Sequence, residues 1–387
     1  MSTLKVDGIR SNSATSDAIT LASNGTCTAN ITNNLSNRNM VINGGMVCSQ
    51  RGSSFANITN AYCLDRYKFR NNNGVTGTFT VSQSTDTPDG FGNSLKVDVG
   101  TADAAIASGE QFYLGTKLEG QDLQRLAKGT SGAKKSVLSF YVKTNKTGLY
   151  SVLLYDNDNT RMFSTSYTVS NTNWNRYTID VPADTTGAYG NDNASSLEIY
   201  WYLGLGSDKQ SGSFQTTWTA YTAANTGPGQ VNFADSTSNE FYITGIQYEV
   251  NESGVATDFE HKRLDDELFA CQRYYCELFK RQSGESQYSF IGLQAYGLQN
   301  LFGTLANFPR KMRTLPTITM VGKLKFSDKQ GGNIYEYTSG TMGNAVTRET
   351  VGTHGVGFGT NRFIQGGFAC GFTDTDGSDY IKADAEL

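Results

Sequence analysis

The chain has 387 residues with 42 glycines, only 5 prolines, 12% aromatic and 18% charged residues, a mixture poor in the Ala, Leu, Glu and Lys that helices favour. Its formal net charge of −4 comes with scattered Lys and Arg, which argues against the basic footprint of a nucleic-acid partner. The length allows two or three domains, each large enough for its own core.

The first residues, MSTLKVDGIR, show no basic region followed by an apolar one, and no stretch approaches eighteen consecutive apolar residues. No export signal and no membrane insertion are expected. Six dispersed cysteines (Cys27, Cys48, Cys63, Cys271, Cys276 and Cys370) lack metal-binding spacing and read as reduced, buried thiols of a protein made in a cytosol.

In chain order, residues 1–36 are rich in Ser, Thr and Asn, with isolated apolar residues such as Leu4, Val6, Ile9, Ile19 and Leu21. One copy of such a segment cannot build a core. It is either a disordered arm or a set of short strands completed by other chains. Residues 37–256 then read as β. Strands are expected at Gly77–Ser82, Ser94–Val99, Ser136–Lys143, Leu149–Tyr155, Arg161–Val169, Arg176–Val181, Leu197–Leu203 and Glu240–Val250, with a short helical turn at Gln121–Lys128. Leu95, Val97 and Val99 alternate against Lys96 and Asp98, as one buried sheet face requires. Many such strands between Gly, Asn and Asp turns predict an antiparallel β-sandwich, a jelly roll.

Residues 257–281, TDFEHKRLDDELFACQRYYCELFKR, carry the one helical pattern: Leu264, Leu268, Cys271, Tyr275 and Leu278 recur at spacings of four and three. Asp258 would cap this linking helix, whose seam either docks on the chain's own sheets or meets two copies around a threefold axis. Residues 282–387 predict a second, smaller β domain, with strands near Phe290, at Leu315–Val321, Arg362–Thr373 and Tyr380–Leu387, and many glycines for exposed loops.

Catalytic signals are sparse. Two histidines, His261 and His354, leave little for a nucleophile and base, and no Gly-x-Ser-x-Gly, His-Glu-x-x-His or phosphate-loop motif occurs. The chain is expected not to be an enzyme. Asp374–Asp379 and Asp156–Asn159 read as turns rather than metal sites, so no metal or other cofactor is expected.

Several segments together carry a resemblance: NRNMVINGGMVCSQRG from Asn37, GFGNSLKVDVG from Gly90, SFYVKTNKTGLYSVLLYDNDNTR from Ser139, LEIYWYLGLGS from Leu197, QVNFADSTSNEFYITGIQYEV from Gln230 and ATDFEHKRLDDELFACQRYY from Ala256. In this order they resemble a recurring module of bacteriophage tail-fibre proteins, common in phages of cyanobacteria and other marine bacteria. The resemblance implies a jelly-roll, lectin-like domain in a homotrimeric fibre of the virion. Residues 1–36 would attach it to other tail or baseplate proteins, and it would bind a host-surface glycan without cleaving it. A head or baseplate decoration protein and a glycan-degrading tailspike are the alternatives.

Sugar sites stack an aromatic face on the ring and bond its hydroxyls through polar groups. Leu197, Ile199, Trp201 and Leu203 share one face and read as core, leaving Tyr200 and Tyr202 on the other beside Glu198. With Trp218 and Tyr221 from the polar stretch that follows, these are the ligand candidates. The competing expectation is that such tyrosines pack on a neighbouring subunit. Tyr335, Tyr337, Phe363 and Phe368 are equally available in the C-terminal domain.

Overall fold

A computed structural model of the chain describes residues 36–280 except 73 and 279, with shorter stretches between 6 and 29 and between 289 and 387. The chain is mainly β and antiparallel. Near the N-terminus β1 (Gly8–Ile9), β2 (Ile19–Leu21) and β3 (Cys27–Ala29) form a small sheet. Val6, Ile9 and Leu21 are exposed there, Ile9 by 54%, so among the described residues this sheet buries no large apolar side chain.

The main body is a two-sheet sandwich. Its strands are β4 (Ser54–Phe55), β5 (Ala61–Tyr62), β6 (Lys68–Asn72), β7 (Thr78–Ser84), β8 (Ser94–Thr101), β9 (Gln111–Glu119), β10 (Ser136–Thr144), β11 (Gly148–Asp156), β12 (Arg161–Val169), β13 (Asn175–Val181), β14 (Ser195–Leu205), β15 (Thr219–Ala220) and β16 (Glu240–Val250). One sheet runs β13-β10-β16-β8-β7-β4 and the other β15-β12-β11-β14-β9-β6-β5. The chain passes repeatedly between the two, as in a jelly roll. Each expected strand is present, and the expected helical turn is a 3-10 helix at Gly120–Leu126.

Alternation explains the core. Leu95, Val97 and Val99 from β8 and Leu197, Ile199, Trp201 and Leu203 from β14 meet Phe69, Phe79, Phe112, Phe140 and Phe241 between the sheets. Burying such side chains contributes about 1.5–3 kcal/mol each. The opening motif before β4 is held by Asn43, fully buried with φ 60°. Its side-chain amide donates to the Cys48 and Asp65 carbonyls at 2.8 and 2.9 Å, and its Oδ1 accepts from the Cys48 amide at 2.9 Å. Next to it, a side chain at Gly44 would begin 2.1 Å from the Ile246 carbonyl oxygen, so only glycine lets this loop lie on β16.

The expected helix over 257–281 is corrected. Only α1 (Leu264–Cys271) is helical, while Tyr275–Leu278 is a strand, β17. Upstream, the polar side chains are committed to the sandwich. Thr257 Oγ1 donates to Glu249, and Glu260 accepts from the backbone amides of Asn37 and Asn39. Asp258 does not cap α1, whose N-cap position is Arg263. Downstream, a turn at 272–274 leads into a ladder pairing Tyr275 with Asp384 and Leu278 with Ile381. A partner strand more than a hundred residues away thus overrides local helical spacing. The five seam residues therefore share no helical face. Leu264 is 59% exposed, Leu268 half-buried, and Cys271 buried on α1, whereas Tyr275 and Leu278 are buried on β17.

β17 is the edge strand of a sheet built from the C-terminal residues. The strands that follow are β18 (Ser289–Tyr296), β19 (Asn300–Phe302), β20 (Ala306–Asn307), β21 (Thr317–Asp328), β22 (Ile334–Thr341), β23 (Gly355–Val356), β24 (Phe368–Phe372) and β25 (Tyr380–Asp384). That sheet runs β17-β25-β21-β24-β18-β19, with β22 also on β21. The last residues return to the sandwich. Glu386 pairs with Arg66 and, at 3.2 Å, with Arg51, and Tyr62 donates to the Leu387 carbonyl at 2.6 Å. Arg66 lies 3.4 Å over the Tyr274 ring and Arg51 3.7 Å over that of Tyr275. Arg273 forks onto Glu119 at 2.8 and 2.7 Å.

Candidate functional site

The outward face of the seven-stranded sheet carries an array of tyrosines. Register places Arg70 opposite Tyr113, Lys68 opposite Gly115, Gly115 opposite Tyr200, Tyr113 opposite Tyr202, and Lys117 opposite Glu198. Because alternate residues share a face, these side chains stand together away from the core. Tyr113 and Tyr200 have ring centroids 4.6 Å apart, Tyr113 and Tyr202 5.1 Å, and Tyr155 and Tyr221 5.5 Å edge to face. Leu153, Met162 and Leu205 fill the gaps between them.

Glycine 115 makes the shelf possible. A Cβ there would sit 2.8 Å from Tyr200 Cδ1, so its absence lets the Tyr200 ring lie over the backbone of β9. The excursion between β14 and β16 borders the far end. Gln215 donates its backbone N–H to the Ser164 carbonyl at 3.1 Å, and Tyr221 donates likewise to that of Thr160 at 3.0 Å.

At the near end stand cations. Lys117 pairs with Glu198 at 2.8 Å, and Arg70 lies 5.9 Å from the Tyr113 centroid. Burial lowers the Lys68 pKa, assisted by the neighbouring Arg70 and Lys117 charges. The Arg70 Nε is buried with no hydrogen-bond partner among the described residues. Burial pushes the Tyr113 phenol up to about 12 and Tyr202 well above its ordinary value. These phenols therefore stay protonated at neutral pH and can both donate and accept. The cluster is tightly packed, with Tyr113, Tyr200 and Tyr202 exposed by only 4%, 9% and 3%, and it gathers tilted aromatic rings, hydroxyls, ammonium and guanidinium donors and one carboxylate on one side of the sheet.

Of the four candidates from the sequence, the structure brings Tyr200, Tyr202 and Tyr221 together. Trp218 does not join them. It lies in the core at 7% exposure, tilted against Phe163, and its indole N–H donates to the Pro182 carbonyl at 3.0 Å. Sequence reasoning missed Tyr113, Tyr155, Arg70 and Lys117. In QFYLGTKLE, Phe112, Leu114 and Leu118 alternate with Tyr113 and Lys117, so the same period-two test would have found β9 and its outer face. The side chains of Tyr335, Tyr337, Phe363 and Phe368 lie outside those described.

Other polar sites are structural. His261 packs between Phe91 and Phe259, with centroids 5.1 and 4.8 Å away. Asp156 accepts from the Asn159 amide at 3.0 Å and pairs with Lys128, as a turn rather than an ion site, whereas Asp374–Asp379 falls outside the described residues. Among the described residues no group of three His, Cys, Asp or Glu is placed to hold a metal ion. No helix there is long and apolar enough to cross a membrane. Cys48, Cys63, Cys271 and Cys276 are free buried thiols, and burial pushes Cys63 and Cys276 up to about 12.

No family model matches the chain, and no curated protein matches it. Solved structures similar in part include the enzymatically active domain of bacteriophage CBA120 tailspike protein 4, at 11% identity and TM-score 0.29, covering 55% of this chain and 21% of that one. The Family 11 carbohydrate-binding module from Clostridium thermocellum is 11% identical at TM-score 0.27, over 54% of this chain and 98% of that one. The CBM22-1 xylan-binding domain from Paenibacillus barcinonensis Xyn10C is 12% identical at TM-score 0.27, over 51% and 93% respectively. The matched region is thus about a fifth of the tailspike's length. Likenesses at such scores add nothing to a functional reading, which rests on the chain's own geometry.

Proposed function

We propose that this chain is a bacteriophage tail-fibre protein that binds a host-surface glycan on the tyrosine face, without cleaving it. The tyrosine shelf is the observation that carries the reading. Clustered tyrosine rings, tilted or edge to face at 52–82° and bordered by hydroxyls, cations and a carboxylate, supply the apolar edges and hydrogen-bonding groups that a sugar's C–H surface and hydroxyl rim require. A site that leaves little more than the rims of its tyrosine rings accessible binds weakly, so repeated copies matter. Tethered copies in a homotrimer raise the effective concentration of the second and third contacts.

The N-terminal sheet fits this assembly. Val6 just before it and Ile9 and Leu21 on its strands are exposed, surface that other copies or tail and baseplate proteins would cover in a virion. The resemblance of the sequence to tail-fibre modules points the same way.

The test is adsorption of purified protein to host cells, with Tyr113→Ala and Tyr200→Ala variants beside the parent. Each variant should bind roughly three- to tenfold more weakly at the level of one stacking contact, and no reducing sugar should appear in the supernatant. Undiminished binding by both variants would move the receptor site elsewhere, and steady release of reducing sugar would make the protein a glycan-degrading spike.

A further inference from the structure

The opposite sheet carries a second cavity that the tyrosine face does not use. It encloses about 400 Å3 and is lined by Lys143, Thr144, Asn145, Thr172, Asn173, Trp174, Glu240 and Tyr242, within the range of small-ligand sites. Trp174 and Tyr242 form two walls of a corner, with centroids 6.1 Å apart and planes at 66°.

The walls are held from behind. Trp174 Nε1 donates to Asp86 at 3.0 Å, and the Asn171 side chain ties the preceding turn by accepting from the Asn173 amide at 2.9 Å and Asn175 Nδ2 at 3.0 Å. Tyr242 donates its hydroxyl to Glu240 at 3.1 Å. Asn145 accepts from the Glu240 amide at 2.9 Å, fixing the opposite rim. Lys143 pairs with Asp86 at 2.6 Å, while Lys96 bridges Asp98 and Glu240, each at 2.8 Å. Two ammonium groups thus face three carboxylates, so the corner presents no surplus positive charge for an anion.

An apolar ligand does not suit a lining of amides, hydroxyls and charges. Tyr242 is 7% exposed, with the Lys96 and Lys143 ammonium groups each 5.4 Å from its ring centroid, and backs the corner, while the partly open Trp174 face beside the exposed Asn173 and Thr172 side chains suits a polar ring with one C–H face. We infer that this corner is a second saccharide subsite, specific for the uncharged end of a glycan and independent of the tyrosine face. The two sites would lie on opposite sheets of one sandwich, so a single domain could engage two glycan chains.

The fold supplies its own reporter. Of three tryptophans, Trp201 and Trp218 are buried in the core at 0% and 7% exposure, and only Trp174 is partly open to solvent. The experiment titrates the full chain with maltotetraose, cellotetraose and chitotetraose while following tryptophan emission and its quenching by acrylamide, in the parent and in Tyr200→Ala. Support is a saturable emission change with reduced quenching by at least one neutral sugar, retained in Tyr200→Ala. Calorimetry should then show binding of that sugar to Trp174→Ala weakened roughly three- to tenfold at this site. Asn173→Ala, which removes only a rim amide, serves if Trp174→Ala does not fold.

Emission unmoved by all three sugars overturns the second subsite, even where calorimetry shows heat that Tyr200→Ala abolishes, an outcome that leaves the tyrosine-face reading standing. A response lost in Tyr200→Ala also overturns it, because the two sites would then not be independent. Saccharide binding confined to Trp174 sinks the tyrosine face and keeps the corner.

Discussion

Glu386→Ala tests whether the C-terminus is locked into the sandwich. Arg66 is 2% exposed and Glu386 4% by side chain. Burial is the largest influence and opposes the Arg66 charge, but the Glu386 carboxylate together with Tyr274, Tyr62 and Cys271 outweighs it and raises the guanidinium pKa. Removing that carboxylate leaves Arg66 with the Lys117 carbonyl, 2.6 Å from Nη2, and the face of Tyr274. Arg51 keeps Asp65 and Asp384, each at 3.5 Å. One buried cation therefore loses its only counter-ion among the described residues. Breaking a buried pair from one side costs about 3–5 kcal/mol.

For a folded unit of about 150–250 residues, each kcal/mol moves the melting midpoint by about 2–4 °C, so Glu386→Ala should melt about 6–20 °C below the parent. Glu386→Gln keeps the shape and an acceptor and should fall between the two. Calorimetric melting of the full chain, with near-ultraviolet circular dichroism of the tyrosines as a second probe, measures both. A midpoint for Glu386→Ala within 2 °C of the parent, with an unchanged tyrosine signal, would refute the buried latch.

Gly115→Val should displace the Tyr200 ring, at an overpacking cost of about 1–3 kcal/mol, and weaken glycan binding by roughly the same factor as Tyr200→Ala; denaturant titration and calorimetry separate the two effects. Burial raises the Asp65 pKa from 3.8 to about 6, against the lowering effects of Gln50 and Arg51. Between these values the folded state holds a proton that the unfolded state has released, so this group's contribution falls as pH rises and its cost is fully present above about 6. The midpoint of the parent relative to Asp65→Asn should therefore decline between pH 4 and 6, and a constant difference would remove burial as the cause. Leu264→Asp should leave the melting midpoint almost unchanged, whereas Leu278→Asp should lower stability by about 3–5 kcal/mol, as expected for an unpaired buried charge; equal effects would restore a continuous helical seam.

Legibility in the sequence follows the range of the interaction. Face assignments along β8 and β14 could be read because a strand's neighbours in sequence report which side is wet. Trp201 went inward and Tyr200 outward, as alternation requires. Strand order was not readable, because nothing near Leu197 specifies that it lies beside Leu118. Trp218 was misplaced for a related reason: it sits in an irregular excursion with no period to fix its direction. The helix over 257–281 failed at both ends where distant groups compete. Glu260 is taken by the backbone of 37–39, and Tyr275 by Asp384 across a ladder.

The same kind of long-range contact ties the strand that carries the candidate site to residues 273 and 386. Strand β9 supplies Phe112 and Leu114 to the core and Tyr113 and Gly115 to the shelf. Its end is held by Arg273 on Glu119 and by Arg66, the sandwich residue paired with Glu386, on the Lys117 carbonyl. Burial, the largest influence, would raise the Glu119 pKa, but the bonds from Arg273 and Tyr274 together with the Arg273 and Arg66 charges outweigh it and hold it below its ordinary value. Protonating Glu119 in acid thus releases one grip on β9, while loss of Glu386 releases the support of the other. The register of β9 that these contacts hold is also the one that keeps Tyr113 outward and Phe112 in the core, since a slip of one residue would exchange the two faces.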